Sequence, residues 1–397
     1  MGSLVHLSVG KLEIDWGKNE FYRNHSKLFL PNDIKKVPYY YADNVIKYRK
    51  AFSRKLKLVK RRLELLGYTK SCVKMLYNNL ISSSPHYYHK VPISFEEFHR
   101  ILANVNVKRI GLSEEEGDYD IGEFVSEYIF KEPEFNKIIN TSSFASSDIG
   151  EIFENIDPYV VLRILMDNPN NSEIDLIWRY ADIEMGGWVE TEELYEILHD
   201  SEKILIVTEG SSDSFIIKKA IELIYPDILD FFYFVDMEEN YPFTGTGNLF
   251  KFCQGLSSIK IQNNIIIIYD NDIAGDNKYK KAISLPLPGN MKIIKLPNHD
   301  SFNYFNTIGP NGNSIESING SAVSIECFLD LNYKTNAPPC IRWTSYEEVS
   351  NKYQGELVNK EMYIRKFKSI KETDKGYNID KLKYLIDYIY DIWTNGA

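Results

Sequence analysis

From the N-terminus to Tyr41 the alternation of apolar and polar positions is short and β-like, as in Leu4-Val5-His6-Leu7-Ser8-Val9 and Lys11-Leu12-Glu13-Ile14-Asp15-Trp16, with Gly10, Gly17 and Pro31 as punctuation. Over residues 42–66 the apolar residues Val45, Phe52, Leu56, Val59, Leu63 and Leu66 fall at helical spacing and stop at Gly67, which predicts a helix, and a second helix is expected over 68–80. Residues 113–200 alternate helical patches with Asn/Ser-rich breaks and read as a helical linking region. At Ser201 the texture changes. Short β-branched runs (203–208, 231–235, 264–269, 291–295) alternate with helical segments (213–224, to about 256, 276–283), the pattern of a parallel α/β unit whose strands are buried on both faces. A polar Gly/Asn loop over 298–320 leads into a short helix carrying Ile325 and Glu326, and the chain from about Tyr346 reads as helical and lysine-rich. The expected fold class is α/β. The expected division is 1–110, a mixed β/α domain; 111–200, an acidic helical linking region; 201–335, a Rossmann-like parallel sheet; and 336–397, a helical extension.

Composition changes this picture little. The 397 residues are 44% hydrophobic and 26% charged, ordinary for a globular chain. The longest apolar runs are strand-sized, so no membrane association is expected, and with no targeting pattern at the start a cytoplasmic location is expected. Cys72, Cys253, Cys327 and Cys340 are scattered and form no C-x-x-C pair, so neither a disulfide framework nor a zinc ribbon is suggested. Charge is more informative. The net charge of −10 hides a stretch from Ser113 to Glu202 with 24 acidic and 4 basic residues, which leaves +10 on everything else. Nine basic residues and no acid lie between Lys47 and Arg62, among them Lys47, Arg54, Lys57 and Arg61. Such a run reads either as a solvated helix face or as a surface that contacts phosphates. The acidic stretch reads as plain solubility or as a phosphate mimic screening that surface.

The chemistry lies in the α/β unit. In an open parallel sheet, ligands bind beyond the carboxyl ends of the strands. The first strand runs into Glu209-Gly210 and the third into Asp270-Asn271-Asp272, and Asp213 stands four residues after Glu209. Like charges at one sheet edge raise one another's pKa unless a cation neutralises them, and hard oxygen ligands without a His or Cys cluster point to Mg2+ or Mn2+. That set suits phosphoryl chemistry. A lone D-x-D is also a common helix cap.

These residues carry a resemblance. Ile204-Leu-Ile-Val-Thr-Glu209-Gly210-Ser-Ser-Asp213, Gly245-Thr-Gly247 and Ile267-Ile-Tyr-Asp270-Asn-Asp272-Ile-Ala-Gly275 together resemble the Toprim domain of topoisomerases, primases, recombination proteins and OLD-family nucleases. Ser324-Ile-Glu326-Cys-Phe-Leu is similar to the Ile-Glu helix motif that follows D-x-D in OLD-type nucleases. The N-terminus, with Leu28-Phe29 and Asp33 downstream, and Gly186-Gly187-Trp188 resemble the HEPN/Toprim-associated proteins of bacteria. The resemblance implies an Mg2+- or Mn2+-dependent nuclease hydrolysing DNA or RNA and acting in defence against phage. Glu209 would be a metal-binding general acid/base, Asp270 and Asp272 catalytic metal ligands, and Asp213 and Glu326 the side of a second metal. It also implies a lysine that offsets transition-state charge, with Lys334, Lys352 and Lys360 as open candidates. The alternative is a regulatory platform that binds nucleic acid or a nucleotide and acts with a partner. No G-x-x-x-x-G-K-[ST] segment is present, so a nucleotide switch would lie on a partner protein or NTPase. None of the seven histidines follows an arginine at the Arg-x(4–6)-His spacing, so the HEPN likeness brings no ribonuclease chemistry. A homo-oligomer is open.

Overall fold

The computed structural model describes residues 2–41, 45–83, 93–110, 121–141, 146–235, 245–310, 312–335, 337–348, 350–371, 374 and 376–395. His86, Tyr87, Tyr88, His89 and the acidic run 113–120 lie outside them. The chain divides into two compact units, 1–197 and 198–397. No helix among the described residues is long and apolar enough to cross a membrane.

The first unit is built on an antiparallel sheet of β1 (Leu4–Val9), β2 (Leu12–Lys18), β3 (Ile34–Tyr41), β4 (Val45–Lys55) and β5 (Asp175–Arg179), in the order β2-β1-β5-β4-β3. Two expectations give way here. The helix expected over 42–66 is a strand, β4, followed by a shorter helix, Leu56–Leu65. β4 pairs along its length, to β3 from Val45 to Phe52 and to β5 from Phe52 to Lys55, and those ladders outweigh the helical spacing of the apolar residues. The stretch 111–200 is not a linker. It supplies β5, the middle strand, and the helix Pro158–Leu165, buried from Tyr159 to Leu165. At the centre Trp178 is fully buried, stacked on Phe52 with ring centres 5.7 Å apart and edge-on to His25 at 5.7 Å.

The two charge blocks meet within this unit. Lys55 pairs with Asp175 (3.2 Å), Lys57 with Glu173 (2.7 Å) and Lys60 with Asp167 (2.7 Å), so carboxylates of the acidic stretch neutralise part of the basic run. Buried Arg163 pairs with Glu64 and Asp167, both at 2.6 Å.

The second unit opens with a parallel sheet of β6 (Ile204–Val207), β7 (Phe232–Phe234), β8 (Asn264–Tyr269) and β10 (Met291–Lys295), joined by helices Ser211–Ile224, Thr246–Ser258 and Ile273–Ile283. The apolar runs form these strands as expected, and Ile265 to Ile268 are all buried. The order β10-β8-β6-β7 places β6 beside β8. From β6 the chain leaves to one side, toward β7, and from β8 to the other, toward β10. The crevice beyond the carboxyl ends of β6 and β8 is therefore the topological switch point of the sheet. The short β9 (Asn271–Asp272) follows β8.

The remainder departs from expectation. The polar loop over 298–320 contains β11 (Phe305–Gly309) and β12 (Gly312–Glu316), and β13 (Ala322–Val323) follows. The helical extension begins as a hairpin, β14 (Cys340–Glu347) and β15 (Lys352–Leu357), before helices Lys360–Ser369 and Asp380–Asn395. These strands form one sheet, β12-β11-β14-β15, so the expected boundary at 335 runs through it. Every residue of β12 is exposed, so no inward-outward alternation marks it as a strand; cross-strand hydrogen bonds to β11 hold it instead.

Candidate active site

Each acid of interest sits where a regular element ends. Glu209 follows β6 after Thr208, whose hydroxyl bonds the Gly210 carbonyl (2.9 Å) and the Ser214 hydroxyl (2.8 Å) and so fixes the turn. The Glu209 carbonyl accepts from the Gly245 amide (3.0 Å), and its carboxylate Oε1 accepts from the Asp270 amide (3.1 Å). One side chain thus ties the ends of β6 and β8 together. Asp213, the third residue of helix Ser211–Ile224, accepts from the Gly210 amide (3.0 Å). Asp272 caps helix Ile273–Ile283 by accepting from the Gly275 amide (2.7 Å). Glu326 arrives through the pairing of β9 with β13, in which Ala322 lies opposite Asp272, and it accepts from the Ser324 hydroxyl at 2.6 Å.

The electrostatics link these groups to one another. Asp270 is pushed far above the ordinary carboxylate value, first by withdrawal from solvent and then by Asp213, Glu209, Asp272 and Glu326. Glu209 is raised to about 8, chiefly by burial, against the stabilising Asp270 amide, and further by Asp272 and Asp213. Asp213 is raised to about 7 by burial and Glu326, with Lys360 opposing. Asp272 is raised by burial, against its bonds to the Gly275 amide and Gln354. Four of the acids read from the sequence, Asp213, Glu209, Asp272 and Glu326, therefore act on the fifth, Asp270.

Two further residues join them. Gln354, on β15, donates its amide to Asp272 Oδ2, while its carbonyl accepts from the Ile273 amide (2.9 Å) and the Ala274 amide (3.3 Å). Nothing in its polar, exposed surroundings on the chain signals this role. Among the three candidate lysines, Lys360 is the one whose charge acts on Asp213, while Lys334 lies over the Tyr333 ring. Gly275 has a steric reason to be glycine. A Cβ there would stand 2.2 Å from the Asp270 carbonyl oxygen. Gly275→Ala is expected to push the Asp270 backbone aside and to destabilise the protein by about 1–3 kcal/mol, read as a lowered urea midpoint.

The donor set is carboxylate oxygen throughout, which fits a hard divalent cation, and the mutual repulsion at Asp270 is what such a cation relieves. As the side chains stand, no group of three or more His, Cys, Asp or Glu among the described residues is gathered closely enough to hold a metal ion. Asp213 and Asp272 are turned onto backbone amides instead, the helix-capping role that a D-x-D also suggests.

The basic run reads differently from expectation. Arg54, expected to contact nucleic acid, is 4% exposed and paired with Asp33 at 2.6 Å, so it cannot reach a phosphate. Lys57 is exposed but already paired with Glu173. Lys47 is exposed on β4, 5.5 Å from the Tyr41 ring, and half-buried Arg61 lies on helix Leu56–Leu65. His299 does not extend the carboxylate cluster; its ring bonds the nearby Ser301.

A family model described as HEPN/Toprim N-terminal domain 1 matches residues 1–202, about half of the chain. No curated protein and no solved structure matches it.

Proposed function

We propose that this chain, which belongs to the HEPN/Toprim N-terminal domain 1 family, is a divalent-metal-dependent nuclease of Toprim type that hydrolyses phosphodiester bonds of DNA or RNA. The observation that carries this reading is the convergence of four carboxylates on Asp270 at the switch point of a parallel sheet. A cluster of that kind without a cation is electrostatically unfavourable, and its placement is that of a ligand site rather than of a structural ion pair.

Glu209, Asp270 and Asp272 would hold one Mg2+ or Mn2+, with Asp213 and Glu326 on the side of a second. When bound, such ions supply Lewis-acid polarisation of the phosphate and stabilise the leaving oxygen. The chain's own groups do the rest. Glu209, as a carboxylate beside the metal, would accept a proton from the attacking water and return it to the leaving oxygen. The Asp270 amide fixes the Glu209 carboxylate in place. Lys360 offsets negative charge on the Asp213 side, where transition-state charge would build. Lys360→Met is expected to lower cleavage by about 10²–10³ with little effect on folding, measured as single-turnover rates against thermal midpoints.

The second reading, a regulatory platform acting with a partner protein or NTPase, is favoured by one observation: Asp213 and Asp272 are engaged in capping helices. Incubating purified protein with supercoiled plasmid, linear DNA and total RNA, in Mg2+ or Mn2+ and in EDTA, separates the two. Metal-dependent cutting supports the nuclease and names its substrate. Metal binding by calorimetry without cutting of any substrate supports the platform. We propose in addition a role in defence against phage, which predicts that cells carrying the intact protein, but not Asp270→Asn, resist infection.

A further inference from the structure

The second unit contains a cavity of about 580 Å³ that is not part of the carboxylate cluster. The size lies within the range of small-molecule sites. One wall is aromatic and apolar: the Tyr304 ring, Pro338, Pro339 and Leu331, with Tyr304 85% exposed beside the opening. An exposed tyrosine over a cavity is an open stacking surface. The His299 ring is held in place, edge-on to Tyr384 at 5.1 Å and 5.3 Å from Phe302. Its Nδ1 accepts from the Ser301 amide at 3.2 Å, so in the neutral ring Nε2 carries the hydrogen and donates. Burial and Lys381 both hold this imidazole below its ordinary value, which keeps it neutral.

The polar lining mixes acceptors and donors. It includes the carboxylates of Asp330 and Asp380, the side-chain amides of Asn306, Asn332 and Asn378, and Lys381. The Asp330 oxygens accept from the Asn332 and Asn378 backbone amides and keep a second lone pair each. The Lys381 ammonium spends one of its three hydrogens on the Cys327 carbonyl at 2.5 Å and lies 5.6 Å from the centre of the Phe302 ring. A phosphate would meet two carboxylates against one ammonium there. A flat, uncharged ring carrying both N–H donors and ring acceptors would meet a stacking face and partners of both kinds.

Two short links connect this lining to the cluster. Asn271, between Asp270 and Asp272, donates to the Asn298 side chain at 2.7 Å, and Asn298 directly precedes His299. Lys381 holds the carbonyl of Cys327, the residue after Glu326. A group seated in the cavity is therefore two hydrogen bonds or fewer from both ends of the carboxylate site.

We propose that this cavity binds a nucleobase carrying an exocyclic amino group, stacked on Tyr304, with its amino hydrogens directed to the Asp330 and Asp380 side. The assignment of that base to the substrate strand, rather than to a free nucleotide, rests on the nuclease reading.

The test uses the full chain in EDTA, with single-stranded DNA and RNA containing one 2-aminopurine, which bears such an amino group, and with adenosine monophosphate as the free source. Binding is expected to quench the 2-aminopurine fluorescence, and Tyr304→Ala is expected to restore it and weaken binding by ~10-fold, while Tyr304→Phe behaves as the parent protein. Tyr304 is exposed, so an unchanged thermal midpoint is the folding control. Binding of adenosine monophosphate that depends on Tyr304, with no affinity for either strand and no cutting in Mg2+, keeps the pocket, makes the free nucleotide its ligand and removes the nuclease reading. Metal-dependent cutting and strand binding that are both indifferent to Tyr304→Ala keep the nuclease and overturn the pocket. Absence of binding by any of the three probes overturns it as well.

Discussion

Asp270→Asn and Glu209→Gln are expected to abolish metal-dependent cleavage, by about 10³-fold or more, and at the same time to make the metal-free protein more stable. The two effects have one cause. Asp270 stands in the field of Asp213, Glu209, Asp272 and Glu326, so its charge is useful only when a cation shares the site. An amide of the same shape removes the repulsion and the ligand together. The pH dependence carries the same sign. Glu209 titrates at about 8 in the folded chain against an ordinary value of 4.5, and Asp213 at about 7 against 3.8, so between those limits the folded state binds more protons than the unfolded one. Stability without metal then falls as pH rises from about 4 through 8, by ~2–5 kcal/mol for the coupled set. Thermal midpoints at pH 5.5 and 8.5, with EDTA and with 5–10-fold excess Mg2+, give the check. The fall should be clear in EDTA, flattened by Mg2+ and reduced in Asp270→Asn. A midpoint that rises with pH in EDTA would falsify the electrostatic account of the site.

The second large effect concerns the first unit. Asp167 accepts from Lys60 (2.7 Å), Arg163 (2.6 Å) and His99 (2.9 Å), and these partners hold it well below the ordinary carboxylate value in spite of its partial burial. Asp167→Ala is expected to destabilise this unit by ~2–3 kcal/mol, because it removes charge-assisted bonds to Lys60, His99 and the buried Arg163, which keeps Glu64 as its remaining carboxylate partner. Asp167→Asn should cost less, since it keeps the hydrogen-bond acceptor. The sign with pH is the ordinary one for a depressed acid: the contribution is present above about pH 4 and is lost as pH falls through the folded-state value. Urea unfolding at pH 7 followed by far-UV circular dichroism measures it. A change below about 1 kcal/mol would show the network to be surface-like, as it is for the exposed Lys57–Glu173 pair.

Much of the candidate site is legible in the chain because its logic is local. A buried parallel strand must be an apolar run, and the residue at its carboxyl end is set by counting, which is how Glu209, Asp270 and Asp272 are found. Glu326 is less local. Its place depends on β9 pairing with β13, and only the motif around Ile325 points to it. Gln354 has no signal at all: it belongs to a strand of alternating exposure in a polar segment, and its function is to reach back across some eighty residues to Asp272. The choice of Lys360 among three lysines likewise needs the helix Lys360–Ser369 to be brought against Asp213.

Short-range pattern and composition are enough to read the α/β alternation after Ser201, the carboxylates at its strand ends, the uneven charge and the lack of cysteine or histidine metal motifs. Long-range pairing is what makes 45–55 a strand, puts Asp175–Arg179 in the middle of the first sheet, sets carboxylates of the acidic stretch against Lys55, Lys57 and Lys60, and joins β11, β12, β14 and β15 into one sheet. Those outcomes depend on which distant segments pair. The free energy of a cross-strand ladder or a buried ion pair belongs to both partners at once, and no window along the chain contains them both.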